Sequence, residues 1–142
     1  MNKVFLSVIM VLSLPAFAQK LNDNKVPEIV KDAFKKNVTG EVLSVKWEKE
    51  DGNYEANYLQ NGIKSAALFD AKGNWLETEK AIEIKELPAE AVAYLNKNYK
   101  GEKIKEAAKL QLPNGVINFE AEVKGKDIIF DNAGKFIKAK KG

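Results

Sequence analysis

Cysteine, histidine and arginine are all missing from this chain of 142 residues. Without cysteine there is no disulfide, no thiol nucleophile and no thiolate metal site. Without histidine the chain lacks the usual general base near neutral pH and the commonest transition-metal ligand. Without arginine it lacks the planar fork that grips phosphate or guanine through two parallel bonds. All 23 basic residues are therefore lysines, set against 20 acids. The resulting net charge of +3 describes a solvated surface of mixed sign rather than a nucleic-acid footprint.

Long apolar runs are scarce too. The one present, residues 4–14, follows a lone charge at Lys3 and is broken by Pro15; Ala16-Phe17-Ala18 then supplies a small-x-small cleavage pattern. The run falls short of the ~20 apolar residues that span a bilayer, and neither a charged stop-transfer flank nor a lipid-bearing cysteine follows it. Residues 1–18 read as a signal peptide. The mature chain, 19–142, is expected to be periplasmic or secreted, with no membrane insertion once the leader is cleaved. It is one domain's worth of sequence, large enough for one core without covalent staples.

What is present is repetition. FDAKGNWLE begins at Phe69 and FDNAGKFIK at Phe130, an offset of 61. The same offset aligns residues 26–41 (VPEIVKDAFKKNVTGE) with residues 87–102 (LPAEAVAYLNKNYKGE). NYEA at 53–56 answers NFEA at 118–121, where the offset grows to 65 and marks a longer hairpin in the first copy. Two copies, 26–86 and 87–142, are too few and too long for a solenoid and read as halves of one domain.

Each copy opens with a helix. Pro27 and Pro88 suit a first helical turn, where a missing N–H costs nothing. Val26, Ile29, Val30, Ala33 and Phe34 form one apolar stripe, and Leu87, Ala91, Val92, Leu95 and Tyr99 form the other. Gly40 and Gly101 suit the left-handed position that ends a helix. The period then becomes two: Leu43, Val45 and Trp47 alternate with Ser44, Lys46 and Glu48. Asp51-Gly52-Asn53 and Asn61-Gly62 are hairpin turns. The expected fold class is α+β, two tandem helix-plus-four-strand copies forming one antiparallel sheet with the helices on one face.

The Phe-Asp stretches superficially resemble calcium loops, but Lys72 and Ala133 occupy a position that needs an oxygen ligand. They read instead as three-residue hairpin loops with a bulge, an Asp cap on a type I turn and a left-handed Gly. That register pairs Phe69 with Trp75 and Leu68 with Leu76; in the second copy it pairs Phe130 with Phe136 and Ile129 with Ile137. The aromatic pairs, with Tyr54, Ala56, Tyr58, Phe119, Ala121 and Val123, are expected under the helices. Leu59, Leu68, Leu76, Ile129 and Ile137 would then form an aliphatic patch on the open face, a candidate partner surface.

These residues are similar to those of the PepSY-like family, exported bacterial proteins also described as β-lactamase-inhibitor-like. The resemblance carries the leader, both Pro-led helices, the aromatic-Glu-Ala strand and the Phe-Asp-x-x-Gly turn, and it covers residues 26–140. It implies a two-copy sheet with helices on one side and a concave open side. In the β-lactamase-inhibitor protein that side grips an enzyme, and PepSY domains proper are linked to restraining peptidases in the envelope. The inhibitor's contact loops and disulfides have no counterpart here, so inhibitory activity is not carried over.

An enzyme is not expected. Ser44, Ser65, Thr39 and Thr78 have no histidine to activate them, there is no Gly-x-Ser-x-Gly elbow, and Lys64 and Ser65 point to opposite faces of a strand. The carboxylate pairs Glu48/Glu50, Glu77/Glu79 and Glu120/Glu122 read as solvated strand faces. The expected function is a non-enzymatic periplasmic module that recognises or modulates an envelope or exported protein through its open sheet face, without cofactor or metal, as a monomer or weak homodimer. The alternative is a carrier of a small molecule or peptide, with Trp47, Trp75, Tyr54 and Tyr58 stacking on the ligand.

Overall fold

The computed structural model describes residues 18–141, so the segment read as a signal peptide lies outside the described residues save for Ala18. Strand β1 (Gln19–Leu21) leads through a 3-10 turn to α1 (Glu28–Asn37). Then come β2 (Val42–Glu50), β3 (Asn53–Gln60), β4 (Ile63–Phe69) and β5 (Trp75–Ile82). A second 3-10 turn leads into α2 (Ala89–Asn98), followed by β6 (Ile104–Gln111), β7 (Ile117–Val123), β8 (Lys126–Asp131) and β9 (Phe136–Lys141). All nine strands form one sheet in sequence order. Every neighbouring pair is antiparallel. The class is α+β, dominated by the sheet; β1, which pairs with β2, was not expected from the sequence.

The helices begin where the prolines put them. Pro27 and Pro88 sit at the N-cap, one position before the first turn, and the carbonyl of Pro27 accepts from Val30 and Lys31 at 3.0 and 3.1 Å. At the far ends Gly40 and Gly101 take the left-handed backbone, at φ +96° and +75°.

Both helices cover the same face of the sheet, and the register shows why. Ala56 pairs with Ala67 and Ala67 with Thr78; four residues along β5, Ile82 pairs with Ala107, which pairs with Ala121 and then Ile128. Side chains at directly paired positions share a face. Under α1 they pack around Phe34, whose ring meets Trp47, Tyr58 and Phe69 edge-on at 5.5, 5.2 and 6.5 Å. Under α2, Ala91 and Leu95 close over Ala107, Ala121, Val123, Ile128 and Phe130. These are two separate cores. Between them the covered face carries a polar seam, Ser65 paired with Lys80 and Lys80 with Lys109.

The two Phe-Asp turns lock sheet to helix. The Asp70 Oδ1 accepts from the backbone N–H of Lys72 and of Asn74, each at 2.9 Å, and Asp131 does the same for Ala133 and Lys135. Gly73 and Gly134 take φ +82° and +89°. A Cβ on Gly134 would lie 2.8 Å from the Ala91 nitrogen and the Pro88 Cβ; one on Gly73 would lie 2.9 Å from the Ile29 carbonyl oxygen. Each turn thus abuts the opening of the helix in its own half.

Two expectations about register need correction. The aromatic pairs form as expected, Phe69 with Trp75 and Phe130 with Phe136. A bulge follows each at once, so Leu68 pairs with Glu77 rather than Leu76, and Ile129 with Lys138 rather than Ile137. Leu76 and Ile137 are the extra residues of the bulges, placed there by a turn whose geometry favours one unpaired residue. The alternation expected in β2 also breaks: Ser44 adopts φ +57° within a register shift between Leu43 and Lys46, leaving Leu43 and Val45 exposed.

Candidate functional site on the uncovered sheet face

The face opposite the helices is acidic where an aliphatic ladder was expected. Glu55 on β3, Glu77 and Glu79 on β5, Glu120 and Glu122 on β7 and Asp127 on β8 share it, as the pairings Glu55–Leu68–Glu77, Ala108–Glu120–Ile129 and Glu122–Asp127 establish. Among the five expected partner-binding residues, Leu68 and Ile129 lie among these acids. Leu59 pairs with Lys64 at the far end of β3, while Leu76 and Ile137 belong to the bulges. The patch is therefore not one continuous strip.

The sheet curls over this face. Lys138 and Lys140 of β9 stand four strands from Glu77, roughly 19 Å in a flat sheet, yet their charges act on its carboxyl. Curling also explains why Leu110 and Ile129, with no helix above them, are each only 2% exposed. Acids among such neighbours lose water, which favours their neutral form. Burial, then the charges of Glu55 and Glu77, pushes the Glu79 carboxyl up to about 7. Burial, then Glu79 and Asp127, pushes Glu120 up to about 8. Burial raises Glu55, Glu77 and Asp127 as well.

A trough of about 610 Å³ opens on this face at the end of β5 and the start of β6. Its floor includes Ala81 and Ala108, paired across the two strands, and its walls carry Glu79, Glu120 and Glu122. Lysines neutralise the rim: Lys64 meets Glu106 at 3.5 Å and Lys105 meets Glu122 at 3.1 Å. The inner acids have less. Glu120, its side chain 13% exposed, has Lys140 at 3.9 Å, and Glu79 has no ion pair among the described residues. No three side chains among the described residues are spaced to hold a metal ion.

The aromatics named for a carrier are elsewhere. Trp47, Tyr54 and Tyr58 are buried beneath α1, and Trp75 is half-buried against the same core with its indole N–H donating to Thr78 Oγ1 at 2.8 Å. Glu79 and Glu120, in turn, were passed over as solvated strand residues. Their signal was present in the i,i+2 carboxylate spacing, but burial on an uncovered face depends on curl, which the sequence pattern does not carry.

The comparisons with known proteins agree with this architecture. The family model described as "Putative beta-lactamase-inhibitor-like, PepSY-like" matches residues 52–138. The chain belongs to this family. Among solved structures, this PepSY-like chain is similar to a BLIP-like protein from Bacteroides fragilis at 28% identity and a TM-score of 0.62, over 80% of this chain and 84% of that one. A DUF2874 family protein from Bacteroides uniformis, 22% identical, reaches 0.64 over 80% and 88%. A chain from Bacteroides eggerthii described as a "putative periplasmic" protein, 16% identical, reaches 0.65 over 81% and 88%. The last two speak to the fold alone. No curated protein matches the sequence. Among the described residues no helix is long and apolar enough to cross a membrane.

Proposed function

We propose that this PepSY-like chain is a non-catalytic, exported binding module that docks another polypeptide on its uncovered sheet face. The observation that carries the reading is a nine-stranded sheet covered by helices on one side only, with a trough of about 610 Å³ on the other. Glu79 and Glu120 are partly desolvated on this face with little or no ion pairing, a cost that a bound partner would offset. The leader-like residues 1–18 support export. The two helix-plus-four-strand segments are read as copies of one unit, which supplies the sheet's breadth. The "BLIP-like" description of the Bacteroides fragilis relative accords with a protein partner.

Ala81, exposed on the trough floor, provides the test. Mature protein on a column is offered an envelope extract beside two variants, Ala81→Trp, which fills the trough, and Lys36→Trp, which adds the same bulk on exposed helix surface. Retention of a polypeptide by the wild type and Lys36→Trp but not by Ala81→Trp is the expected result. Equal retention by all three overturns the reading.

A further inference from the structure

Resting on that reading, we propose that the trough's occupant is a basic polypeptide segment, an extended stretch whose lysine or arginine side chains lie across strands β3 to β7. Four features of the face point to that chemistry. Its floor is small and apolar, with Ala81 and Ala108 giving depth and the half-buried Leu68 giving aliphatic surface beside it. Lysine and arginine lay apolar stems along such surface and carry their charge to its edge. The charges at that edge are the carboxyls of Glu79 and Glu120, the two trough acids least served by the protein's own lysines. The rim acids Glu106 and Glu122 already hold Lys64 and Lys105.

Spacing favours a polypeptide over a lone cation. Glu55, Glu79 and Glu120 stand on β3, β5 and β7, two strands apart at each step and displaced by two residues along the strands each time, so they form a diagonal row across the curled face. Basic side chains spaced along an extended segment would meet those acids in turn. The carboxylates do not converge as a metal site needs.

The remaining charges facing the trough set its pH dependence. Glu77 and Asp127 add negative potential beside Glu79 and Glu120, while Lys138 and Lys140 on β9 compete for it. Empty, Glu120 and a fraction of Glu79 hold protons near neutral pH; an arriving ammonium stabilises their ionised forms and expels those protons. Binding therefore tightens as pH rises from 6 to 8 and releases protons to the buffer.

The probe is the peptide (Lys-Ala-Pro)4, titrated calorimetrically into mature protein in two buffers of different ionisation enthalpy, with (Glu-Ala-Pro)4 as control. The expected result is binding of the lysine peptide alone, with proton release, weakened about tenfold by Glu79→Gln or Glu120→Gln and tightened by Lys140→Ala. Thermal unfolding of each variant confirms that it remains folded. Absence of binding, or affinity indifferent to both Glu→Gln changes, overturns the proposal. Spermidine binding as tightly as the peptide, or a homodimer in sedimentation that Ala81→Trp dissolves, overturns it in favour of another occupant. If Ala81→Trp abolishes capture of an envelope polypeptide while Glu79→Gln and Glu120→Gln do not, the basic-segment inference falls and the docking reading stands.

Discussion

Glu120 lies directly opposite Ile129 across the β7–β8 pair, so an ionisable carboxyl and a side chain only 2% exposed share one wall of the curled sheet. This pairing sets the protein's response to alkali. Glu120 and Glu79 are raised to about 8 and about 7 in the fold, whereas in the unfolded chain they ionise in the ordinary carboxylate range. The folded state thus binds more protons, and stability falls as pH rises from about 5 through 8. Glu120→Gln removes part of that loss. Denaturant unfolding at pH 9 should show the variant more stable than wild type, on the order of 2 kcal/mol, with the gap closed at pH 5. Equal pH slopes for the two would contradict the assignment.

The Tyr58 hydroxyl is buried under α1 and has no hydrogen-bond partner among the described residues. Burial alone raises its pKa. An unsatisfied buried hydroxyl costs about 1–3 kcal/mol, so deleting it relieves rather than weakens the core. Tyr58→Phe should leave stability unchanged or raise it by about 1 kcal/mol, and a drop of that size would show that the hydroxyl has a partner in solution.

Gly134 and Gly125 both have positive φ, at +89° and +68°, but only the first touches a helix. Gly125→Ala meets open space and should cost about 1 kcal/mol for the backbone alone. Gly134→Ala also drives a methyl into the Ala91 nitrogen and the Pro88 Cβ and should cost about 2–4 kcal/mol. Chemical denaturation of the pair measures the difference, and equal costs would separate the turn from α2.

Asp70 works in the opposite direction from Glu120. Bonds from the Asn74 side chain, then from its backbone N–H, hold the Asp70 carboxyl below its ordinary range. Its contribution is present above the unfolded pKa and lost as pH falls through the folded one. Asp70→Asn should therefore flatten the acid limb of the stability profile below about pH 4. Asp131→Ala, which removes both acceptor bonds in the second turn, should cost about 1 kcal/mol near neutral pH.

Much of the architecture was legible because it is written in local chemistry. Pro27 and Pro88 mark helix starts, Gly40 and Gly101 mark ends, and Asp70 and Asp131 build turns that pair Phe69 with Trp75 and Phe130 with Phe136. The candidate site was less legible for two reasons. A bulge one residue past each turn displaces Leu76 and Ile137, and alternation cannot foretell a bulge that no glycine marks. The identity of the open face also depends on curl accumulated over nine strands, which buries Ile129 and Glu120 where a flat sheet would expose both. Neither effect resides in any short stretch of sequence.

The seam of Ser65, Lys80 and Lys109 leaves the molecule with two hydrophobic nuclei joined chiefly by the main-chain ladder of β5 and β6. Each nucleus can condense on its own hairpins and helix, and the ladder then zips them into register. In the finished protein that ladder is a crease. A change of angle along it would alter how far the concave side closes over the Ala81–Ala108 pair while both nuclei stay dry.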